Sequence, residues 1–120
     1  MSEISNMAYV DSTAQIGENV IIYPFALISD NAFIDDGCIV NMYSSVAHDA
    51  CLGKYCTISA HCDITGGCKL GNNVFMGTTS NMVPRITIGD NVFICAGSTV
   101  MASVRNNRKL MGNPATIIKF

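Results

Sequence analysis

The sequence predicts an all-β solenoid, built as a triangular prism with three short strands to a coil. Three observations predict it. Stepping by six from Ile4 to Val100 meets seventeen residues without an insertion, and every one is Ile, Val, Leu or Met. Four residues after each of these comes a second column of mostly small or β-branched residues. It runs from Ala8 to Ser98 and includes Cys38, Cys56, Cys62 and Cys68. A longer period lies on top, because Ile16-Gly17, Ile34-Asp35, Leu52-Gly53, Leu70-Gly71 and Ile88-Gly89 recur every eighteen residues.

A period of six is too long for a helical turn and is a multiple of the strand period of two. Each unit therefore reads as a short strand and a turn. The aliphatic residue points inward and the small one fills the corner. Seventeen buried aliphatics at roughly 1.5–3 kcal/mol each make a sufficient gross core. The array runs over residues 4–105, which is 102 residues or five to six coils of eighteen. At about 4.8 Å per coil it should stand about 27 Å tall. The register fails at Asn106, so the solenoid is assigned to residues 1–105 and a tail or cap to 106–120.

Outward positions bear on function. Ile21, Ile39, Thr57, Phe75 and Phe93 share one outward phase, and four of the five are large and apolar. Such a stripe is unusual on a monomer, so a partner subunit is expected to cover it. After Val104 come Arg105, Arg108, Lys109 and Lys119, and no acidic residue follows Asp90. This basic end suits the phosphates of an anionic ligand, or a charged cap over the open end of the prism. Met111-Gly112-Asn113-Pro114-Ala115 reads as a tight turn.

Composition excludes several classes. Charged residues are 13% and hydrophobic residues 49%, which is not a disordered chain. A net charge of −2 gives no nucleic-acid footprint. No apolar run reaches the ~18 residues of a membrane span. The start, Met-Ser-Glu-Ile-Ser-Asn, has neither the basic nor the apolar part of a signal peptide, so a cytoplasmic location is expected. The six cysteines include no CxxC pair, and four lie in the small column, so they read as buried small hydrophobes. Cys51 and Cys95 lie outside that column without a histidine in stacking position, which argues against a covalent cysteine mechanism.

The gap-free array resembles the left-handed parallel β-helix of the hexapeptide acyltransferases. The segment Asn41-Met42-Tyr43-Ser44-Ser45-Val46-Ala47-His48-Asp49-Ala50-Cys51-Leu52-Gly53 is similar to the His-Asp/Glu motif of bacterial sugar O- and N-acyltransferases. That group contains the sialic acid O-acetyltransferases and the bacillosamine-pathway acetyltransferases. The similarity continues through Thr65-Gly66-Gly67, Lys69-Leu70-Gly71-Asn72-Asn73, Ile94-Cys95-Ala96-Gly97-Ser98 and Gly112-Asn113-Pro114-Ala115. Those enzymes usually carry a small nucleotide-binding-like domain ahead of the β-helix. The hexapeptides here begin at about residue 4, so that domain is not expected in this chain.

The resemblance implies a homotrimer with active sites in the clefts between prisms. It implies direct transfer of an acetyl group from acetyl-CoA to a hydroxyl or amine of a sugar-like acceptor. That chemistry needs a base, an oxyanion donor and aligned substrates. His48 lies two residues past a core aliphatic and so points outward. It is the expected general base, with Asp49 holding its far nitrogen. Gly66 is the expected oxyanion donor, through its backbone N–H. Asn41 is expected to orient the acceptor. Thr57, Gly66, Thr78, Ala96, Gly112 and Asn113 are expected to line the coenzyme groove. Thr57 stands where many members have a second histidine. Acceptor contacts are looked for near Tyr23, Phe25 and Tyr43. His61 is thirteen residues from His48 rather than eighteen, does not stack with it, and reads as a turn residue.

Two rival readings stay open at this stage. A zinc enzyme of the γ-carbonic-anhydrase kind uses three histidines on this scaffold, and this chain has two at the wrong relative phase. A non-catalytic assembly or binding module, as an inactive acyltransferase homologue, is the alternative that Thr57 and the missing front domain favour.

Overall fold

The computed structural model describes residues 1–119 as a left-handed parallel β-helix of about six coils. The molecule measures 38 × 21 × 20 Å. Two-residue strands recur every six positions and stack into three flat faces. The first face runs from Glu3–Ile4 through Phe93–Ile94 and ends in Lys109–Gly112 and Ala115–Ile118. The second runs from Tyr9–Val10 to Thr99–Val100, and the third from Gln15–Ile16 to Thr87–Ile88. Pairing steps by eighteen residues, as in Thr57↔Phe75 and Ile64↔Met82. Among the described residues no helix is long and apolar enough to cross a membrane.

The second residue of each strand turns inward. Ile28, Ile34, Ile58, Ile64 and Ile94 are fully buried, and Ile22, Ile88 and Val100 nearly so. Ile4 is exposed and Val10 and Ile16 only half-buried, because the first coil has no coil beneath it. The small column is buried as well. All six cysteines are free. The four in this column satisfy their thiols on carbonyls fifteen residues ahead, as from Cys38 to Gly53 at 2.9 Å and from Cys68 to Val83 at 3.2 Å. The buried hydroxyl of Ser80 donates to Gly77 O at 2.6 Å. Polar atoms in this column thus enter the core with partners.

Three edges join the faces, here named after residues they carry. The His48 edge joins the second and third faces, the Lys54 edge the third and first, and the Tyr43 edge the first and second. At most turns the second residue has positive φ, as at Asn31 (56°), Asp49 (60°), Asn73 (57°) and Asn91 (55°). Asn, Asp and Gly adopt this region most readily. Along the Lys54 edge a side chain caps the coil below: Glu18 N–H donates to Asp36, Lys54 N–H to Asn72, and Asn72 N–H to Asp90, each at 2.8 Å.

The break in register at Asn106 is a two-residue shortening. Ile88 bridges Val104, sixteen residues on, and Phe93 pairs with Lys109 at the same step. Val104 and buried Leu110 thereby resume the core column, and Lys109–Gly112 extends the first face. Ala115–Ile118 turns back on it as an antiparallel hairpin strand.

Truncating Ile64, fully buried at mid-prism, to Ala should cost about 2–5 kcal/mol in a denaturant titration, because the coils above and below cannot collapse onto the void. Asp36 supplies a pH test. The Glu18 N–H, and then Lys54 at 3.3 Å, hold its carboxyl below the ordinary value. Its stabilising contribution is therefore complete above the usual carboxylate pKa of about 4 and is lost as pH falls through the lower folded value. The acid limb of a Tm-against-pH profile should be shallower in Asp36→Asn.

Candidate active site

His48 is the first turn residue on its edge, immediately after Ala47, whose N–H is bound to Ile64 O at 2.8 Å. The turn closes with Ala50 N–H on Ala47 O at 3.2 Å. Asp49 follows in the left-handed conformation, and its N–H reaches down to Asp30 O at 3.1 Å. That backbone reversal sets the two adjacent side chains side by side. His48 Nδ1 lies 3.1 Å from Asp49 Oδ2, and both side chains remain more than half exposed, at 56% and 60%. With the Nδ1 proton given to Asp49, Nε2 carries the free lone pair.

Nε2 points at Gly66, eighteen residues on and one coil higher. A Cβ built on Gly66 would lie 2.4 Å from Nε2 and 2.6 Å from Cε1. The imidazole therefore occupies the space that a side chain at position 66 would take. Gly66 is buried. Among the described residues the Gly66 N–H has no hydrogen-bond partner. Gly67 (φ 70°) binds down to His48 O at 3.0 Å, and Arg85 N–H binds in turn to Gly66 O at 3.0 Å. The edge thus carries a lone-pair nitrogen packed on a glycine whose backbone donor is free.

The other sequence-expected residues lie elsewhere. Thr57 is half-buried on the first face, in register between Ile39 and Phe75. Thr78 and Ala96 are exposed and one coil apart on the Tyr43 edge, where Thr78 Oγ1 donates to Ala60 O at 2.9 Å. Gly112 ends the first strand of the C-terminal hairpin and Asn113 begins its turn, and Gly112 N–H donates to Ser98 Oγ at 3.1 Å. Asn41 starts a turn of the Tyr43 edge, its Nδ2 bound to Ile58 O at 2.9 Å. His48, Asp49 and Gly66 therefore meet on one edge. Asn41, Thr57, Thr78, Ala96, Gly112 and Asn113 follow a line up another part of the same prism. One chain does not bring the two groups together.

Two features escaped the sequence reading. His61 is more than a turn residue. Its ring stacks on Tyr43 at 4.9 Å between centroids, and Tyr43 stacks on Phe25 at 5.4 Å. All three have positive φ, from 59° to 66°, and all are exposed. The spacing 25, 43, 61 was the available signal. Arg85 is the other, eighteen residues past Gly67. Its Cγ comes within 3.1 Å of a Cβ built on Gly67, closer than its own Cβ at 3.9 Å, so the side chain runs down over the glycine.

A cavity of about 590 Å³ lies at the C-terminal end, away from His48. Val100, Val104, Leu110 and Ile117 line it together with Arg105 and Arg108. Lys109 lies over the Phe93 ring, 5.4 Å from its centroid, and Phe93 stacks on Phe75 at 4.7 Å. Among the described residues no three His, Cys, Asp or Glu side chains converge as a metal site requires.

No protein-family model matches the chain, and no curated protein matches it. Solved structures do. The acetyltransferase domain of PglB from Neisseria gonorrhoeae FA1090 is 26% identical, with a TM-score of 0.97 over 98% of this chain and 58% of that one. The same domain in complex with acetyl coenzyme A aligns with a TM-score of 0.96. PerB from Caulobacter crescentus, in complex with CoA and GDP-perosamine, is 28% identical, with a TM-score of 0.97 over 98% of this chain and 57% of its own. WeeI from Acinetobacter baumannii AYE is 27% identical, with a TM-score of 0.92 over 96% and 57%. The chain thus spans less than three fifths of the length of these structures.

Because the His48 ring fills the place of a Gly66 side chain, Gly66→Ala should displace it. The imidazole nitrogen and carbon resonances of His48 should move, while the amide spectrum of coils remote from the edge stays as in the wild type. An unmoved His48 ring would contradict the contact.

Proposed function

We propose that this chain is the β-helix of an acetyl-CoA-dependent acyltransferase that moves an acetyl group to a hydroxyl or amine of a sugar-like acceptor. One observation carries the reading: His48 Nε2, with its opposite nitrogen tied to Asp49 at 3.1 Å, occupies the side-chain space of Gly66, a residue whose own N–H is unpartnered. The likeness to acetyltransferase structures solved with CoA, acetyl-CoA and a nucleotide sugar supports it.

In this reading His48 Nε2 takes the proton from the acceptor as its oxygen or nitrogen attacks the thioester carbonyl. The carbonyl oxygen gathers charge, and the Gly66 N–H donates to it. Asp49 holds the ring in the tautomer that accepts at Nε2 and stabilises the imidazolium. The tetrahedral species collapses by breaking its carbon–sulfur bond, and the imidazolium proton goes to the leaving thiolate. No acyl-enzyme forms.

The coenzyme groove belongs to Thr57, Thr78, Ala96, Gly112 and Asn113, with the basic C-terminal end toward its phosphates, and Asn41 turns toward the acceptor. Since one prism separates these residues from His48, the working unit is a homotrimer in which the His48 edge of one copy faces the Tyr43 edge of the next. The half-buried column Ile21, Ile39, Phe75, with Phe93 at its end, supplies apolar surface for such packing. Six free cysteines suit the reducing cytoplasm.

Calorimetry with acetyl-CoA and a transfer assay test this. Wild type should bind acetyl-CoA saturably, and Ala96→Trp, which fills the groove without touching His48, should abolish binding. Once an acceptor is found, His48→Ala should lower kcat by about 10²–10⁴ while acetyl-CoA binding persists. Asp49→Asn should lose less. A wild type that does not bind acetyl-CoA would sink the transferase and favour a non-catalytic assembly module.

A further inference from the structure

We propose that Arg85 forms an anion subsite beside His48, taking a carboxylate or phosphate carried by the acyl acceptor. The inference rests on the reading of His48 and Gly66 as the place of transfer. Arg85 stands one coil above Gly67, and its side chain runs down over that glycine toward the His48 coil. A Cβ at position 67 would crowd this path at 3.1 Å from Arg85 Cγ, while glycine at 66 is what admits the imidazole from below. The two glycines thus separate a base from a cation.

Three further observations point to a ligand. Among the described residues the Arg85 guanidinium has no ion pair and no side-chain hydrogen bond, although Asp49 belongs to the same edge. Two of the other six cations have such partners: Lys54 binds Asp35 and Asp36, and Arg108 binds Asn106 O. Arg85 also holds a left-handed φ of 61°, a conformation that disfavours a long side chain, in a turn whose first residue is Pro84. A planar fork of five donors with no internal acceptor matches a carboxylate or phosphate. At one to two coil spacings from Nε2, roughly 5–10 Å, the bound anion would sit about a sugar ring away from the reacting atom.

The test is a titration of the whole chain with glucuronate, glucose 1-phosphate and neutral glucose, following the Gly66, Gly67 and Arg85 amides by NMR. An anionic sugar should produce saturable shifts there and glucose none. Arg85→Asn, neutral and at ease with positive φ, should weaken that affinity by about ten-fold or more, the effect of one lost charge-assisted pair. Arg85→Lys should fall between. Equal affinity in Arg85→Asn, equal shifts with glucose, or no saturable shift in the wild type would overturn the proposal. A second arm separates acceptor from coenzyme: acetyl-CoA should bind Arg85→Asn within about two-fold of wild type, well short of the tenfold loss of a broken charge-assisted contact. A ten-fold loss there would assign the arginine to the coenzyme and overturn the acceptor assignment. The titration needs no catalysis. An Arg85-dependent site in a chain that fails to bind acetyl-CoA would sink the transferase and leave the anion subsite standing.

Discussion

Backbone N–H groups along the faces donate to the carbonyl seventeen residues ahead, as Glu3 does to Val20, Ala47 to Ile64 and Lys69 to Ile86. At the left-handed turn residues the direction reverses, and the N–H reaches a carbonyl nineteen residues behind, as Gly67 does to His48 and Arg85 to Gly66. Each coil is thus tied to the one above along its faces and to the one below at its corners. A slip of one residue would turn the aliphatic column outward and break both sets together. Placement of the site depends on this register. His48 and Gly66 are adjacent only because eighteen residues make one circuit.

The turns are where the chain departs from its cheapest conformation. Asn19, Asn31, Asn73, Asn91 and Asn107 meet the positive-φ requirement with a residue suited to it. Phe25, Tyr43 and Arg85 meet it with residues that are not, and His61 with one that tolerates it. The three aromatic residues follow one another up a single edge, and their stacking offsets part of the cost. The Tyr43 edge is accordingly an exposed aromatic ridge below and a small-residue track of Thr78, Thr79, Ala96 and Gly97 above. In the proposed trimer this edge faces the base of the next copy.

The site on the His48 edge is made as much by missing side chains as by present ones. Gly66 and Gly67 are neighbours in sequence but serve opposite sides. Position 66 receives the imidazole from below and position 67 the arginine from above. The Thr65 carbonyl, which shares a peptide with the Gly66 N–H, accepts from Cys68 N–H at 3.3 Å, and this holds that peptide in place while the Gly66 N–H stays free. In the proposed transfer this is preorganisation toward developing charge: the donor is positioned by backbone hydrogen bonds before any ligand arrives.

Periodicity by itself determined the prism, the inward column and the outward phase of His48, because strand side chains alternate strictly and each coil repeats the last. It also put the four column cysteines inside. The end of the array was not legible, since Val104 and Leu110 rejoin the core after a two-residue shortening that breaks the count before restoring it. The pairing of His48 with Asp49 was expected from resemblance, but the contact needs the left-handed turn that sets neighbouring side chains on one side. His61 was compared with His48, thirteen residues away, when its partners were Tyr43 and Phe25 at the eighteen-residue step. The descent of Arg85 over Gly67 and the separation of the expected coenzyme-lining residues from His48 belong to the tertiary structure alone. A repeat specifies which residues share a column, whereas a rotamer's direction and the distance between columns arise only when the coils close and stack.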